Sequence, residues 1–248
     1  MIFRANIPAP KYPFNINSDD SILLLGSCFS DHIGSYFKRH RFDVCSNPFG
    51  VLFNPVSIDR ALRMLMEPAS FDKNRYFYRT SDLWVSFAHH GRFSKENYDD
   101  FEKTIDEQLE QTARFLERAD YLFITFGTAF CYKFIPRDLI VSNCHKIPNN
   151  WFERFRLDVK KIVSQWNDTL AMLKNRYPEM KIIFTVSPVR HAGDNVHENT
   201  LSKSTLMLAV EYIEEKVAES FFTPETREQM RIIEKENRFL NHQRFRKM

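Results

Sequence analysis

Apolar residues fall into short continuous runs separated by longer stretches with helical spacing. Ile22, Leu23, Leu24 and Leu25 form one such run, bounded by Asp19-Asp20 and by Gly26, and read as a buried strand. A helix is expected over 31–39 and a second strand over 42–45, closed by the turn-forming residues Ser46-Asn47-Pro48-Phe49-Gly50. Asn54-Pro55 is a helix start, with Asn as cap and Pro at the first helical position, and that helix should run to about Glu67. Residues 76–78 and 83–87 read as two short extra strands, a hairpin. Over 95–118 the apolar positions Tyr98, Phe101, Ile105, Leu109 and Leu116 recur at helical spacing. A strand follows at 121–126. A long helix is expected over 150–177, with Phe152, Phe155, Val159, Ile162, Trp166, Leu170 and Leu173 on one face, and then a strand at 181–186. Helices 203–221 and 224–241 make a helical C-terminal segment, about 203–242. Long helices between short β-rich runs indicate parallel strands joined by crossovers. The expected fold class is therefore α/β, a three-layer sandwich around a mostly parallel sheet, with residues 1–248 as a single domain. Ligands of such folds sit outside the carboxyl ends of the strands, which directs attention to loops 26–31, 47–54, 127–129 and 187–199.

Composition narrows the picture. Thirty-five basic against 32 acidic residues give a net charge of +3, too small to argue for nucleic acid or a membrane surface. The six glycines form neither a GxGxxG nor a GxxxxGK[ST] pattern, so the common nucleotide-binding fingerprints are absent. The longest apolar runs are far short of the ~20 residues of a membrane-spanning helix. No signal-like stretch opens the chain. Four cysteines without CxxC spacing fit reduced thiols. Together these give the expectation of a cytoplasmic location. No cofactor and no metal are expected.

Candidate chemistry concentrates in the loops. In Leu25-Gly26-Ser27-Cys28-Phe29-Ser30, a strand runs into Gly and then a small nucleophilic residue. That arrangement can present a thiol at a helix N-terminus, where the dipole and free N–H groups favour a thiolate or a developing oxyanion. The alternative is a tight turn with a buried cysteine.

The run GSCFS (26–30), followed by NPFGVLFNP (47–55), FGTAF (126–130), NCHK (143–146) and SPVRH (187–191), resembles the bacterial GSCFA-domain proteins, which are grouped with the SGNH (GDSL-type) hydrolases. The resemblance implies an SGNH-like sandwich. Laid on Gly26-Ser27-Cys28, the SGNH Gly-Asp-Ser block puts Cys28 at the nucleophile position; a register offset by one would choose Ser27. Gly50, with Asn47 in the same block, matches the glycine whose N–H joins the oxyanion hole. The Gly-x-Asn block reads Gly127-Thr128-Ala129, so the donor Asn is replaced by Ala129, and Thr128 is the substitute. The late Asp-x-x-His block, which carries the general base, is missing: residues 204–210 and 211–216 resemble the helices on either side of it, spliced together. The resemblance then implies a sheet without its last strand.

For the missing base, His191 and His197 lie in the loop after the 181–186 strand. His191 is the better placed, and Asp194 could orient either; in the alternative reading His191 and Arg190 only order that loop. His89 and His90 are adjacent on a strand and face opposite ways, so they cannot chelate one metal together and read instead as substrate-lining or structural. Asn143, Cys144, His145 and Lys146 read as a substrate-facing loop or a plain connection. The alternating charges of the last helix, from Arg227 to Lys247, are a solvated face. Two functional readings follow: an SGNH-like esterase or acyl hydrolase acting on a small-molecule or carbohydrate ester, a carbohydrate deacetylase among the options, or a catalytically impaired relative that keeps the pocket for binding. The missing strand leaves an exposed sheet edge through which a homodimer is expected.

Overall fold

The computed structural model describes residues 14–221 apart from residue 192. Its centre is a parallel sheet of four strands, β1 (Ser21–Gly26), β2 (Asp43–Ser46), β5 (Tyr121–Phe126) and β9 (Lys181–Val186), in the order β2-β1-β5-β9. Every residue of β1 is buried, as its apolar run requires of a central strand covered on both faces. Leu23 and Leu25 face one layer and Ile22 and Leu24 the other. On the second side lies α1 (Cys28–Arg39), which places Ile33 and Phe37 against Ile22, Leu24 and Tyr121. On the first side lie α2 (Pro55–Met66), α4 (Tyr98–Leu116), α5 (Val159–Arg176) and α6 (Val196–Phe221). The chain is thus the expected three-layer α/β sandwich.

A short helix α3 (Lys73–Tyr76) precedes the hairpin β3 (Phe77–Arg79) and β4 (Trp84–Ser86), which pairs antiparallel as anticipated. A second antiparallel sheet was not anticipated. It consists of β6 (Phe130–Phe134), β7 (Leu139–Val141) and β8 (Phe152–Arg156), in the order β7-β6-β8. The expected helix 150–177 therefore begins only at Val159. Phe152 and Phe155 mimic helical spacing, but the segment pairs with β6, Phe134 opposite Phe152 and Cys131 opposite Phe155. Asp158 then caps α5 by accepting from the Lys161 N–H at 2.8 Å.

Two more boundaries move. Helix α1 starts at Cys28, three residues before the expected position, because Ser27 serves as its cap. Helix α6 starts at Val196, where Asn195 accepts from the Glu198 N–H at 2.8 Å. The two segments read as spliced together form one continuous helix. The expected helix 224–241 and its alternating charges lie outside the described residues. Strand β9 lies at one edge of the sheet, as β2 does at the other, with β5 as its neighbour and no second partner among the described residues.

Candidate active site

The end of β1 is fixed by glycine and asparagine. Gly26 has φ +144°, and an added Cβ would lie 2.2 Å from the Thr125 carbonyl oxygen on β5, so only glycine fits this exit from the sheet. The buried Asn47 amide pins the loop that follows. Its Oδ1 accepts from the Gly26 N–H at 2.8 Å, and its Nδ2 donates to the Ser27 carbonyl at 3.3 Å and to Asp31 Oδ1 at 2.8 Å. Ser27 is buried, and its Oγ accepts from the Phe29 N–H. Cys28 is the first helical residue, half-buried, and its own N–H has no partner among the described residues. This is one of the orphan donors of a helix start, in the field that favours an anion.

Cys28 opens on a cavity of about 460 Å³. Phe53 and Asn54 form one side of it, ahead of α2. Phe130, Tyr132, Val141 and Arg154 contribute a wall from the second sheet, continued by Asn143 and Cys144. The loop after β9 supplies Ser187, Val189, Arg190, His191 and Asp194. The Arg154 guanidinium lies 3.7 Å from the Phe130 ring centroid and reaches Asp194 Oδ1 at 2.5 Å, joining the two walls. His191 Nδ1 stands 3.6 Å from the same carboxylate oxygen. The buried Asn199 of α6 holds that loop: its Oδ1 accepts from the His191 N–H at 2.9 Å, and its Nδ2 donates to the carbonyls of His191 and Asp194, each at 3.0 Å.

Of the residues singled out from sequence, Ser27, Cys28, Gly127, Thr128, Asn143, Arg190 and His191 line this cavity. Asn47, Gly50, His89, His90 and His145 do not; they form the packing behind it. Gly50 has φ +80°, and its N–H donates to the Asn47 carbonyl at 2.8 Å, which corrects its reading as an oxyanion donor: the amide is already engaged within its own turn. A Cβ at Gly50 would lie 2.1 Å from the His90 Cβ. His90 caps a short turn by accepting from the Arg92 N–H. His89 is fully buried against Phe49, with Nδ1 2.7 Å from Ser86 Oγ; burial pulls its pKa down to about 3, so the ring is neutral. His145 Nε2 lies 2.8 Å from the Ser86 carbonyl, and burial lowers its pKa as well. His197 is exposed on the first turn of α6 and does not line the cavity.

The Gly127 and Thr128 amides both donate to the Phe53 carbonyl, at 2.8 and 2.9 Å, so neither is free for a ligand. The Thr128 hydroxyl differs. Ser202 Oγ accepts from the Ala129 N–H at 2.8 Å and lies 3.1 Å from Thr128 Oγ1, which also accepts from the Phe130 N–H at 3.1 Å. Either hydroxyl can donate in this contact; with the buried Ser202 as donor, the Thr128 proton is left for the cavity. Asn54 presents a second such donor. Its Oδ1 caps α2 at Ser57, and its Nδ2 has no partner among the described residues.

Four residues at this cavity were not singled out from the sequence: Asn54 and Arg154, which line it, and Ser202 and Lys203, which bond to Ala129 and Gly127. Asn54 was legible only as a cap. Ser202 was hidden by the late start assigned to α6, although Asn195-x-x-Glu198 is a helix-start signature. Burial pushes the Cys144 thiol up to about 11 and the Cys131 thiol up to about 12, leaving both protonated. Among the described residues no cluster of His, Cys, Asp and Glu is placed to hold a metal, and no helix is long and apolar enough to cross a membrane.

Fold and site together define an α/β protein that presents a thiol at a helix N-terminus to an open, largely apolar cavity at the carboxyl end of its parallel sheet. The chain belongs to the GSCFA family, whose model matches residues 21–226. No curated protein and no solved structure matches it.

Proposed function

We propose that this chain is an SGNH-like acyl hydrolase in which Cys28 is the nucleophile and His191 the proton shuttle. The observation that carries this reading is that Cys28, at the first residue of α1, shares one cavity with His191, behind which stands Asp194. Cys28 Sγ attacks the ester carbonyl carbon while His191 takes the thiol proton. The oxyanion meets the Cys28 N–H, the Asn54 amide and the Thr128 hydroxyl. The tetrahedral adduct collapses, and the leaving alcohol receives the proton from His191. Water, deprotonated by His191, then cleaves the thioester to give the acid and restore the thiol. Cys28 is favoured over Ser27 because the Ser27 hydroxyl is buried and occupied as a helix cap. The apolar rim, with Phe53 and Val189 exposed, suits an acyl group larger than acetyl.

Hydrolysis of p-nitrophenyl acetate and hexanoate by the wild type, Cys28→Ala, Ser27→Ala and His191→Ala tests this. Cys28→Ala should lose at least about 10³-fold in turnover. His191→Ala should lose about 10²-fold or more, and Ser27→Ala far less. Equal rates in all four proteins overturn the reading. A second reading, a pocket kept for binding alone, is favoured by the engagement of the Gly50 amide and by Ala129 at the donor position. It predicts no wild-type turnover above background, together with saturable ligand binding.

A further inference from the structure

We propose that the ligand of this cavity is an apolar chain carrying a carboxylate, and that Arg190 supplies the charge that recognises it. For the ester opened by Cys28 the inference rests on the hydrolase reading; for the affinity itself it does not.

The polar groups of the lining divide unevenly. Several that accept hydrogen bonds are spent inside the protein. The Phe53 carbonyl takes the Gly127 and Thr128 amides at 2.8 and 2.9 Å, and the Gly127 carbonyl takes the Lys203 ammonium. Ser187 Oγ accepts from the Val189 N–H at 3.3 Å. Asp194, the one carboxylate among the lining residues, is paired with Arg154 at 2.5 Å.

The donors are not spent. Asn54 Oδ1 accepts from the Ser57 N–H at 2.8 Å, and Asn143 Oδ1 accepts from the His145 N–H at 2.7 Å. A backbone N–H can only donate, so these bonds fix which end of each amide is oxygen and leave both Nδ2 groups over. Neither Nδ2 has a partner among the described residues, and neither has the Arg190 guanidinium. Charge follows the same division. The guanidiniums of Arg154 and Arg190 line the cavity against the single Asp194 carboxylate, so Arg190 is left uncompensated.

Unspent donors and one unmatched positive charge call for a ligand that accepts and is a monoanion. A planar carboxylate meets the guanidinium fork with two parallel bonds. The rest of the lining, including Phe53, Phe130, Val141 and Val189, suits a hydrocarbon chain. A neutral carbohydrate fits less well, because each of its hydroxyls donates as well as accepts. On the hydrolase reading the Asn54 amide and the Cys28 N–H serve the ester carbonyl, which leaves Arg190 and Asn143 for the carboxylate.

The test is isothermal titration of the full chain with hexanoate and with hexanamide, which share chain length and a planar head but differ in charge. The proteins are the wild type, Arg190→Gln and Arg190→Lys. Hexanoate should bind the wild type about tenfold more tightly than hexanamide. Arg190→Gln should lose most of that preference, and Arg190→Lys should keep part of it. Bound hexanoate should also slow alkylation of Cys28 by iodoacetamide, read by mass spectrometry, and leave the half-buried Cys45, outside the cavity, unaffected. Equal affinities, no saturable binding of either ligand, a preference unchanged in folded Arg190→Gln, or Cys28 alkylation unchanged at saturating hexanoate each overturn the inference. Should Arg190→Gln fail to fold, salt decides: the wild-type preference should shrink between about 0.05 and about 0.5 M NaCl, and a salt-independent preference overturns it. Preference for hexanoate without any ester hydrolysis would remove the hydrolase reading and leave the carboxylate site in place. Hydrolysis of p-nitrophenyl hexanoate through Cys28 without that preference would do the reverse.

Discussion

At the scale of single residues, buried polar groups decide the behaviour around the site. His89 is fully buried and its pKa lies near 3, well below the ordinary value of 6.5, because burial penalises the imidazolium. The unfolded chain therefore binds a proton below about pH 6.5 that the folded chain refuses until about pH 3. The stability this group contributes is complete above pH 6.5 and is lost at about 1.4 kcal/mol per pH unit as pH falls through that window. Urea unfolding at pH 7 and pH 5 should show this loss in the wild type and a smaller one in His89→Gln; equal slopes would contradict it. His89 and His90 stand side by side in the sequence with nothing to separate ligand from packing. What separates them from the site is the ring stacked on Phe49 and the Cβ pressed against Gly50, and both contacts are long-range. Cys28 was legible because glycine, a small residue and a helix start are local signals.

At the scale of elements, α6 acts as a clamp. Ser202 joins it to Thr128 and Ala129, Lys203 to Gly127, and Asn199 to the His191–Asp194 loop. Ser202→Ala should lower stability by about 1–3 kcal/mol, because the buried Ala129 N–H loses its acceptor. It should also lower turnover through the disordered Thr128 hydroxyl, which an unfolding curve beside an esterase assay would show. An unchanged unfolding midpoint would sink this account. The central strands and α2 were readable because an apolar run such as 22–25 and a cap such as Asn54-Pro55 are complete within a few residues. The second sheet was not. Strands β6, β7 and β8 are three to five residues long, and their apolar positions gain meaning only when Phe134 meets Phe152 across the ladder.

At the scale of the whole molecule, β9 carries backbone donors and acceptors along its outer side, with half-buried apolar residues such as Ile183 and Phe184. A second copy pairing there is the association the sequence leads one to expect, and sedimentation equilibrium over a range of concentrations should show a dimer; a monomer throughout would remove it. The cavity itself joins two stretches of very different character. The thiol and its anchors arise where β1, β5 and β9 end, on the parallel sheet, whereas Phe130, Tyr132, Val141 and Arg154 belong to a separate visor of short antiparallel strands. Reshaping that visor alone would alter which molecules fit the cavity while leaving the Cys28 sulfur undisturbed, so, on the proposed hydrolase reading, chemistry and selectivity can drift independently within one architecture.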